Sequence, residues 1–162
     1  MKISVMKNAA IAISAVVLSA CCLFCACRNG SGNAYTKGLV FSEIEENGEI
    51  AAYSVNGSGK PSKNIKIPSV YNDKPVTAIG GYAFKEGAFL FVRLESITIP
   101  DSVTSIGERA FWGCYKLKNI YYGGTVAQWE NIRKGDEWDM FETDYYVRCS
   151  DGNIYGNYEG RE

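Results

Sequence analysis

The stretch Ile97 to Leu117 reads ITIPDSVTSIGERAFWGCYKL, and much of it has a counterpart elsewhere in the chain. The block Ile97-Thr98-Ile99-Pro100 matches Ile65-Lys66-Ile67-Pro68, and Val103–Phe111 matches Val76–Phe84 at an offset of 27 residues. A unit of this length cannot bury its own apolar face. Recurrence at this spacing therefore predicts units that stack on one another.

Each unit is predicted to contribute a short strand to a common sheet. The strand signal Leu94–Thr98 recurs at Leu117–Tyr121. Stacking should place Ile65, Ile97 and Ile120 side by side in the core. Four further pairs are expected to stack: Ile67 with Ile99, Val76 with Val103, Ile79 with Ile106, and Phe84 with Phe111.

The polar residues around these isoleucines are the candidate binding residues. Because side chains alternate along a strand, Lys66, Thr98 and Tyr121 are predicted to form one outward row. With about 4.8 Å between strands, the face would be only about 10–15 Å wide. A second outward row is predicted at Lys63, Glu95 and Lys118.

The segments on either side of the repeats have patterns of their own. Leu39–Ile44 and Ile50–Val55 flank Asn47-Gly48, which is typical of a β-hairpin with a type I′ turn. After the repeats, Thr125 and Gln128 have the spacing of a capping box that begins a helix. The remaining predictions are an apolar helix face at Val126, Trp129 and Ile132, a final strand at Tyr145–Cys149, and a frayed polar tail at 153–162.

The repeat from Ile97 to Leu117 resembles the BspA-like leucine-rich repeat. The resemblance extends to Ile67–Val76, which is similar to the segment that often opens such arrays. It also extends to Tyr121–Trp129 and Cys149–Gly152, which are similar to their common terminal segment. The fold that this resemblance implies is α+β and strand-dominated: a short leucine-rich repeat solenoid with an N-terminal β-hairpin cap and a C-terminal helix/strand cap. It also implies adhesion or protein recognition.

The N-terminus has the order of a secretion signal. Lys2 and Lys7 precede an apolar run that starts at Ala9 and leads to Leu18-Ser19-Ala20-Cys21. The last four residues resemble the lipobox of bacterial lipoproteins. This resemblance implies that Cys21 is acylated, becomes the first residue after cleavage and tethers the protein to the outer face of a membrane.

Two alternatives at the N-terminus stay open. The 19 uncharged residues from Ala9 to Cys27 are long enough for an uncleaved spanning helix. Cys22, Cys25 and Cys27 offer other sites of modification, and Phe24–Cys27 is a poorer match to the lipobox. The predicted organisation is a signal peptide at 1–20, a lipid-anchored flexible linker at 21–37, the repeat domain with its caps at 38–152, and the tail.

Composition excludes several classes of function. The chain has no histidine, which removes the commonest general base and the commonest metal ligand. Cleavage after residue 20 would remove two of the 17 basic side chains and none of the 18 acidic ones, which lowers the net charge from −1 to −3. A mildly acidic chain is unsuited to nucleic acid, whose binding requires clustered Lys and Arg.

The remaining candidates for chemistry favour structural interpretations. Cys114 and Cys149 are interpreted as two separate buried thiols, with one disulfide as the alternative. The acidic stretch Lys134–Asp144 lacks the regular oxygen spacing of a calcium loop, so a solvated loop is predicted. No catalytic residue, metal or cofactor is predicted.

The function expected from the sequence is a cell-surface lipoprotein that binds another protein or a surface ligand, with no nucleic acid partner. The alternatives are a structural or accessory envelope lipoprotein and a histidine-free enzyme. An inserted loop around Phe89 and Phe91 could extend the binding face. Tyrosines are the other candidate surface residues, unless most of them pack on the core: Tyr71, Tyr82, Tyr115, Tyr121, Tyr122, Tyr145 and Tyr146.

Overall fold

The computed structural model describes residues 35–60, 62–85, 94–140 and 143–156, all of which belong to one compact unit. The signal peptide, Cys21, most of the linker, and the loop with Phe89 and Phe91 lie outside the described residues. The elements are β1 (Leu39–Glu46), β2 (Glu49–Ser58), β3 (Asn64–Lys66), β4 (Val70–Tyr71), β5 (Lys74–Ile79), β6 (Ser96–Ile99), β7 (Ser105–Ile106), β8 (Asn119–Tyr122), α1 (Val126–Glu130), β9 (Arg133–Lys134), β10 (Tyr145–Arg148) and β11 (Asn153–Gly156).

The strands form two sheets. Sheet 1 has the order β1-β2-β5-β7-β9, with β4 paired to β5. Sheet 2 has the order β3-β6-β8-β10-β11. The neighbours from β2 to β9 and from β3 to β10 are parallel, whereas β1 and β11 pair antiparallel at opposite ends. This is the strand-dominated solenoid that the sequence predicts.

The core follows the predicted stacking. Ile65, Ile97 and Ile120 are adjacent in register and at most 2% exposed. The rings of Phe84 and Phe111 stack with centroids 5.5 Å apart. The other residues of the predicted pairs are all buried as well: Ile67, Ile99, Val76, Val103, Ile79 and Ile106.

A column of glycines holds consecutive turns close together. The amides of Gly80, Gly107 and Gly135 donate to carbonyl oxygens of the preceding turn, each at 2.8 Å. A Cβ on Gly107 would lie 2.7 Å from backbone atoms of Gly80 and Gly81, which is closer than real Cβ atoms come. The third glycine shows that the repeat continues through residues 133–140.

The prediction of a solvated loop at Lys134–Asp144 is therefore wrong for its first part. Lys134 lies in β9, and Trp138 packs edge-on against Phe111 with centroids 6.3 Å apart. The sequence hides this turn because Trp138-Asp139 stands where the other turns have Ala-Phe. In the part of the chain that the structure covers, no three His, Cys, Asp or Glu side chains lie close enough together to hold a metal ion.

The N-terminal hairpin forms as predicted but extends further at both ends. Asn47 and Gly48 have φ angles of 55° and 81°, as a type I′ turn requires. The Thr36 amide donates to the Lys66 carbonyl at 3.0 Å, and the Lys66 amide donates to the Thr36 hydroxyl at 2.8 Å. Thr36, two residues before the predicted start of the domain, is thus hydrogen-bonded to the end of β3.

The C-terminal cap is confirmed at its start and differs at its end. Thr125 and Gln128 form the capping box, and Trp129 and Ile132 are buried, although α1 spans only five residues. No helix among the residues described here is long and apolar enough to cross a membrane. The predicted final strand is present as β10, and residues 153–156 form β11 rather than a frayed tail because they pair antiparallel with it.

The two domain cysteines are not bonded to each other. Cys114 is buried, and its Sγ lies 3.1 Å from the Phe84 carbonyl oxygen. Cys149 is only half-buried, and burial is the main cause that raises the pKa of its thiol. A protonated thiol is a poor nucleophile, so Cys149 lacks the character of a reactive cysteine.

Candidate functional site

The outer face of sheet 2 carries the first predicted row. Register pairs Lys66 with Thr98, Thr98 with Tyr121, and Tyr121 with Arg148. Lys66 and Thr98 are half-buried, and Tyr121 is 43% exposed. The geometry of the row is as the alternation predicts, and Arg148 extends it by one strand. Its role in binding stays a prediction.

The second row differs from the prediction. Side chains on one face of a strand are two residues apart, whereas the step from Lys66 to Lys63 is three. Lys63, Glu95 and Lys118 immediately precede β3, β6 and β8, where the Lys63 ammonium pairs with the Glu95 carboxylate at 3.1 Å. The second outer row is instead formed by Asn64, Ser96, Asn119, Tyr146 and Tyr155.

The outer face is wider than the sequence predicts. Five strands lie side by side in sheet 2, not three. Four spacings of about 4.8 Å give a width of about 19 Å. The extra width comes from β10 and β11, which place tyrosines and Arg148 on the same face.

Exposed tyrosines concentrate on the C-terminal half of this face. Tyr121, Tyr146 and Tyr155 are 43%, 45% and 52% exposed. The rings of Tyr146 and Tyr155 lie 5.1 Å apart between centroids. Tyr155 is not among the surface tyrosines that the sequence indicates, because the sequence predicts a frayed tail at 153–162.

The other candidate tyrosines divide between core and surface. Tyr122 and Tyr145 are buried, so the structural interpretation holds for them. The pKa of Tyr122 is raised, first by burial and then by the Asp101 charge. Tyr71 is half-buried and stacks on Phe41 at 3.9 Å, while Tyr82 and Tyr115 are exposed away from the two rows.

Charge is unevenly distributed between the two sheets. None of the five strands of sheet 2 contains Asp or Glu, and their cations are Lys66 and Arg148. Four glutamates occupy β1 and β2 in sheet 1, namely Glu43, Glu45, Glu46 and Glu49. The domain therefore presents a cationic, hydroxyl- and amide-rich face at sheet 2 despite its acidic composition.

A second polar cluster lies on the turns and has its charges already paired. Arg109 donates to the Tyr82 hydroxyl at 3.0 Å and forms ion pairs with Glu108 and Glu137. The hydrogen bond to Glu137 is the main cause that raises the pKa of Arg109 above its ordinary value. These contacts link three successive turns and account for the cluster structurally.

Two grooves border the outer face at opposite ends of its strands. One, of about 580 Å³, is lined by Glu95, Tyr115, Lys116, Lys118, Asn119 and Thr143. The other, of about 480 Å³, includes Tyr35, Lys66, Val70, Thr98 and Asp101. Both are open, the first is mainly polar and the second is mixed, so they can enlarge a contact surface.

Comparisons with solved structures found similar leucine-rich repeat proteins. A leucine rich cell surface protein from Faecalibacterium prausnitzii has a similar structure, with 27% identity, a TM-score of 0.48, and coverage of 70% of this chain and 29% of that one. A leucine-rich repeat protein from Bacteroides capillosus is similar at 21% identity and a TM-score of 0.48, covering 72% of this chain and 97% of that one. The chain spans less than a third of the Faecalibacterium protein. No curated protein matches the chain.

The family is decided by the repeat sequence itself. Residues 49–132 match the model of the BspA type leucine rich repeat region, described with six copies. This match covers more than half of the 162 residues and contains the stacked isoleucines and the first two glycines of the column. The chain belongs to the BspA-type leucine-rich repeat family.

Proposed function

We propose that this chain is a bacterial cell-surface lipoprotein, anchored through Cys21, whose repeat domain binds another protein. The observation that carries the proposal is the outer face of sheet 2, where exposed tyrosines and two cations share strands without any acid. Tyrosine and arginine are enriched at protein interfaces because they bury large area and donate directional hydrogen bonds. Membership of a leucine-rich repeat family favours a protein-interaction role.

The dimensions of the face favour weak or multivalent binding. Strands of three to four residues at about 3.3 Å per residue give a face about 13 Å long and about 19 Å wide. That is well below the roughly 800 Å² that each partner buries in a standard interface. If several copies are anchored on one surface, weak contacts add through multivalency.

Binding rather than catalysis is the activity that these groups support. The outer face offers hydroxyls, amides, one ammonium and one guanidinium, and no carboxylate or thiol lies in its strands. General acid–base chemistry uses a side chain whose pKa lies near the working pH. The strands of this face contain no histidine, carboxylate or thiol, which are common general acids and bases.

The anchor is tested by changing Cys21 to serine. We expect the variant to stay unprocessed or to be shed into the medium, because a serine hydroxyl cannot replace the thiol that is acylated. Stable anchoring needs more than one acyl chain, at about 0.8 kcal/mol per buried CH₂. Membrane fractionation with mass spectrometry of the N-terminus measures the outcome. Cys25→Ser is the matched control and should leave anchoring unchanged; an intact Met1 on the surface-bound wild type would contradict lipidation.

The face is tested by the double substitution Lys66→Glu with Tyr121→Ala. A pull-down with the full-length chain against envelope and host proteins identifies the partner. Binding should weaken by about tenfold or more, because one charge is reversed and one exposed ring is removed. The matched control is Lys74→Glu with Val40→Ala, which makes the same charge reversal and removes an exposed apolar side chain on sheet 1; Val40 is 50% exposed, close to Tyr121. Equal affinity of both variants and wild type would exclude this face.

A further inference from the structure

Arg148 is the exposed cation in the strands of sheet 2. It lies in β10, directly opposite Tyr121 on one side and Asn153 on the other. Tyr146 precedes it by two residues and therefore points to the same face. All three of Arg148, Tyr121 and Tyr146 are exposed to solvent.

Two contacts hold the guanidinium in place. Its Nε donates to the Asn119 side-chain oxygen at 3.1 Å. The guanidinium carbon lies 5.5 Å from the centre of the Tyr146 ring, within range of a cation–π interaction. Of the five N–H donors of the guanidinium, one is used in this way, and the four on the terminal nitrogens make no hydrogen bond to the residues that the structure describes. A guanidinium oriented in advance loses less entropy when it binds an oxyanion.

The charge of Arg148 is not neutralised within the described part of the chain. Ion pairs there involve Lys63 with Glu95, and Arg109 with Glu108 and Glu137. Arg148 takes part in none of them, unlike Arg109. The two acids nearest to it in sequence have other partners: Asp151 accepts a hydrogen bond from the Val126 amide at 2.8 Å, and Asp144 accepts one from the Tyr155 hydroxyl at 2.7 Å.

Building on the proposed function, we propose that Arg148, flanked by Tyr121 and Tyr146, binds a carboxylate side chain of an acidic peptide segment of the partner protein. An exposed arginine with two terminal nitrogens matches the two oxygens of a carboxylate. The neighbouring rings can cover the apolar part of the same segment and exclude water from the ion pair.

A peptide fits this face better than a regularly charged polymer. Polyanions bind through rows of closely spaced cations, each neutralising one charge. The other cation in the strands of sheet 2 is Lys66, three strands away at about 14 Å. Neutral Thr98 and Tyr121 lie between them. This spacing suits an isolated carboxylate within an otherwise uncharged segment.

The test uses the full-length chain and peptides immobilised at high density. One peptide carries a central glutamate among uncharged residues with tyrosine beside it, and its counterpart carries glutamine. The wild type should bind the glutamate peptide about tenfold or more tightly, as expected for hydrogen bonds to a charged group. Arg148→Gln should abolish the difference, and Arg148→Lys should restore only part of it, since an ammonium lacks the planar fork.

The control variant removes an exposed arginine from the other sheet. Arg133→Gln changes the net charge by the same amount in β9 of sheet 1 and should bind like the wild type. Equal binding of the two peptides, or binding that survives Arg148→Gln, would overturn the proposal. Tighter binding to heparin than to the peptide, lost in Arg148→Gln, would also overturn it in favour of a sulfated polysaccharide.

Binding of the natural partner to two variants distinguishes failure of this inference from failure of the proposed function. Suppose that the partner no longer binds the Lys66→Glu plus Tyr121→Ala variant but still binds Arg148→Gln. This result would support the outer face as the binding surface and would contradict the contact between Arg148 and a carboxylate. If the partner binds both variants as tightly as the wild type, the proposed function is contradicted as well. Unchanged thermal melting of each variant shows that loss of binding is not loss of fold.

Discussion

Changing Gly107 to alanine is expected to destabilise the domain by about 3 kcal/mol or more, the upper end of overpacking effects. The new Cβ would lie 2.7 Å from the Gly80 carbonyl carbon and from the Gly81 Cα. These are backbone atoms of the preceding turn, which the 2.8 Å hydrogen bond from Gly107 to Ile79 holds in place. Relief requires the turns to separate, which breaks that bond and loosens the core.

Thermal or urea denaturation measures the effect. For a domain of this size we expect the melting temperature to fall by about 10 °C or more. Gly59→Ala is the matched control, because its Cβ would lie 3.6 Å from the Gly38 carbonyl oxygen, an ordinary contact. A Gly107→Ala variant as stable as Gly59→Ala would show that the turns are not packed as tightly as the glycine column requires.

Phe111→Ala should destabilise the domain by a similar amount, because it leaves a cavity in the core instead of overpacking it. Phe111 is 0% exposed and lies between the Phe84 ring and the Trp138 ring. Removal of a buried phenylalanine side chain costs about 3–5 kcal/mol. Domains of this kind have a total stability of only about 5–15 kcal/mol, so a large part of it is lost.

The exposed Tyr115 provides the comparison for Phe111. Tyr115 is 53% exposed, and Tyr115→Ala should change the unfolding free energy by about 0.5 kcal/mol or less. Both variants can be followed by the same denaturation curves. Melting of Phe111→Ala within about 2 °C of the wild type would contradict the continuous core from Phe84 to Trp138.

Repetition made the centre of this fold predictable. Ile65 and Ile97 stand in nearly identical blocks, so equivalent residues could be aligned and their stacking inferred without knowledge of the whole structure. The capping box at Thr125 and the Asn47-Gly48 turn were predictable for a different reason. Each depends on contacts within a few residues, which local sequence specifies.

The features that the sequence did not predict were missed for physical reasons. The turn at Gly135 lacks the Ala-Phe pair, so it had no visible counterpart, although its Gly and the following Trp138 occupy equivalent places in the stack. The pairing of β10 with β8 joins segments that are distant in sequence, so no local pattern specifies it, and β11 reaches the sheet through its pairing with β10. Arg148 and Tyr155 were missed as site residues for that reason, whereas Lys66, Thr98 and Tyr121 followed from the repeat.

The hydrogen bonds between Thr36 and Lys66 determine how the domain bears tension applied from its N-terminal side. Force along the chain reaches Thr36 first, then the bond between Gly38 and Gly59, and then the open end of the hairpin at Leu39. An antiparallel hairpin loaded at its open end unzips one pair at a time rather than breaking all of its bonds together. We therefore expect β1 to separate from β2 at a lower force than the one that unfolds the stacked repeats. The hairpin would unfold first and leave the rest of the solenoid folded.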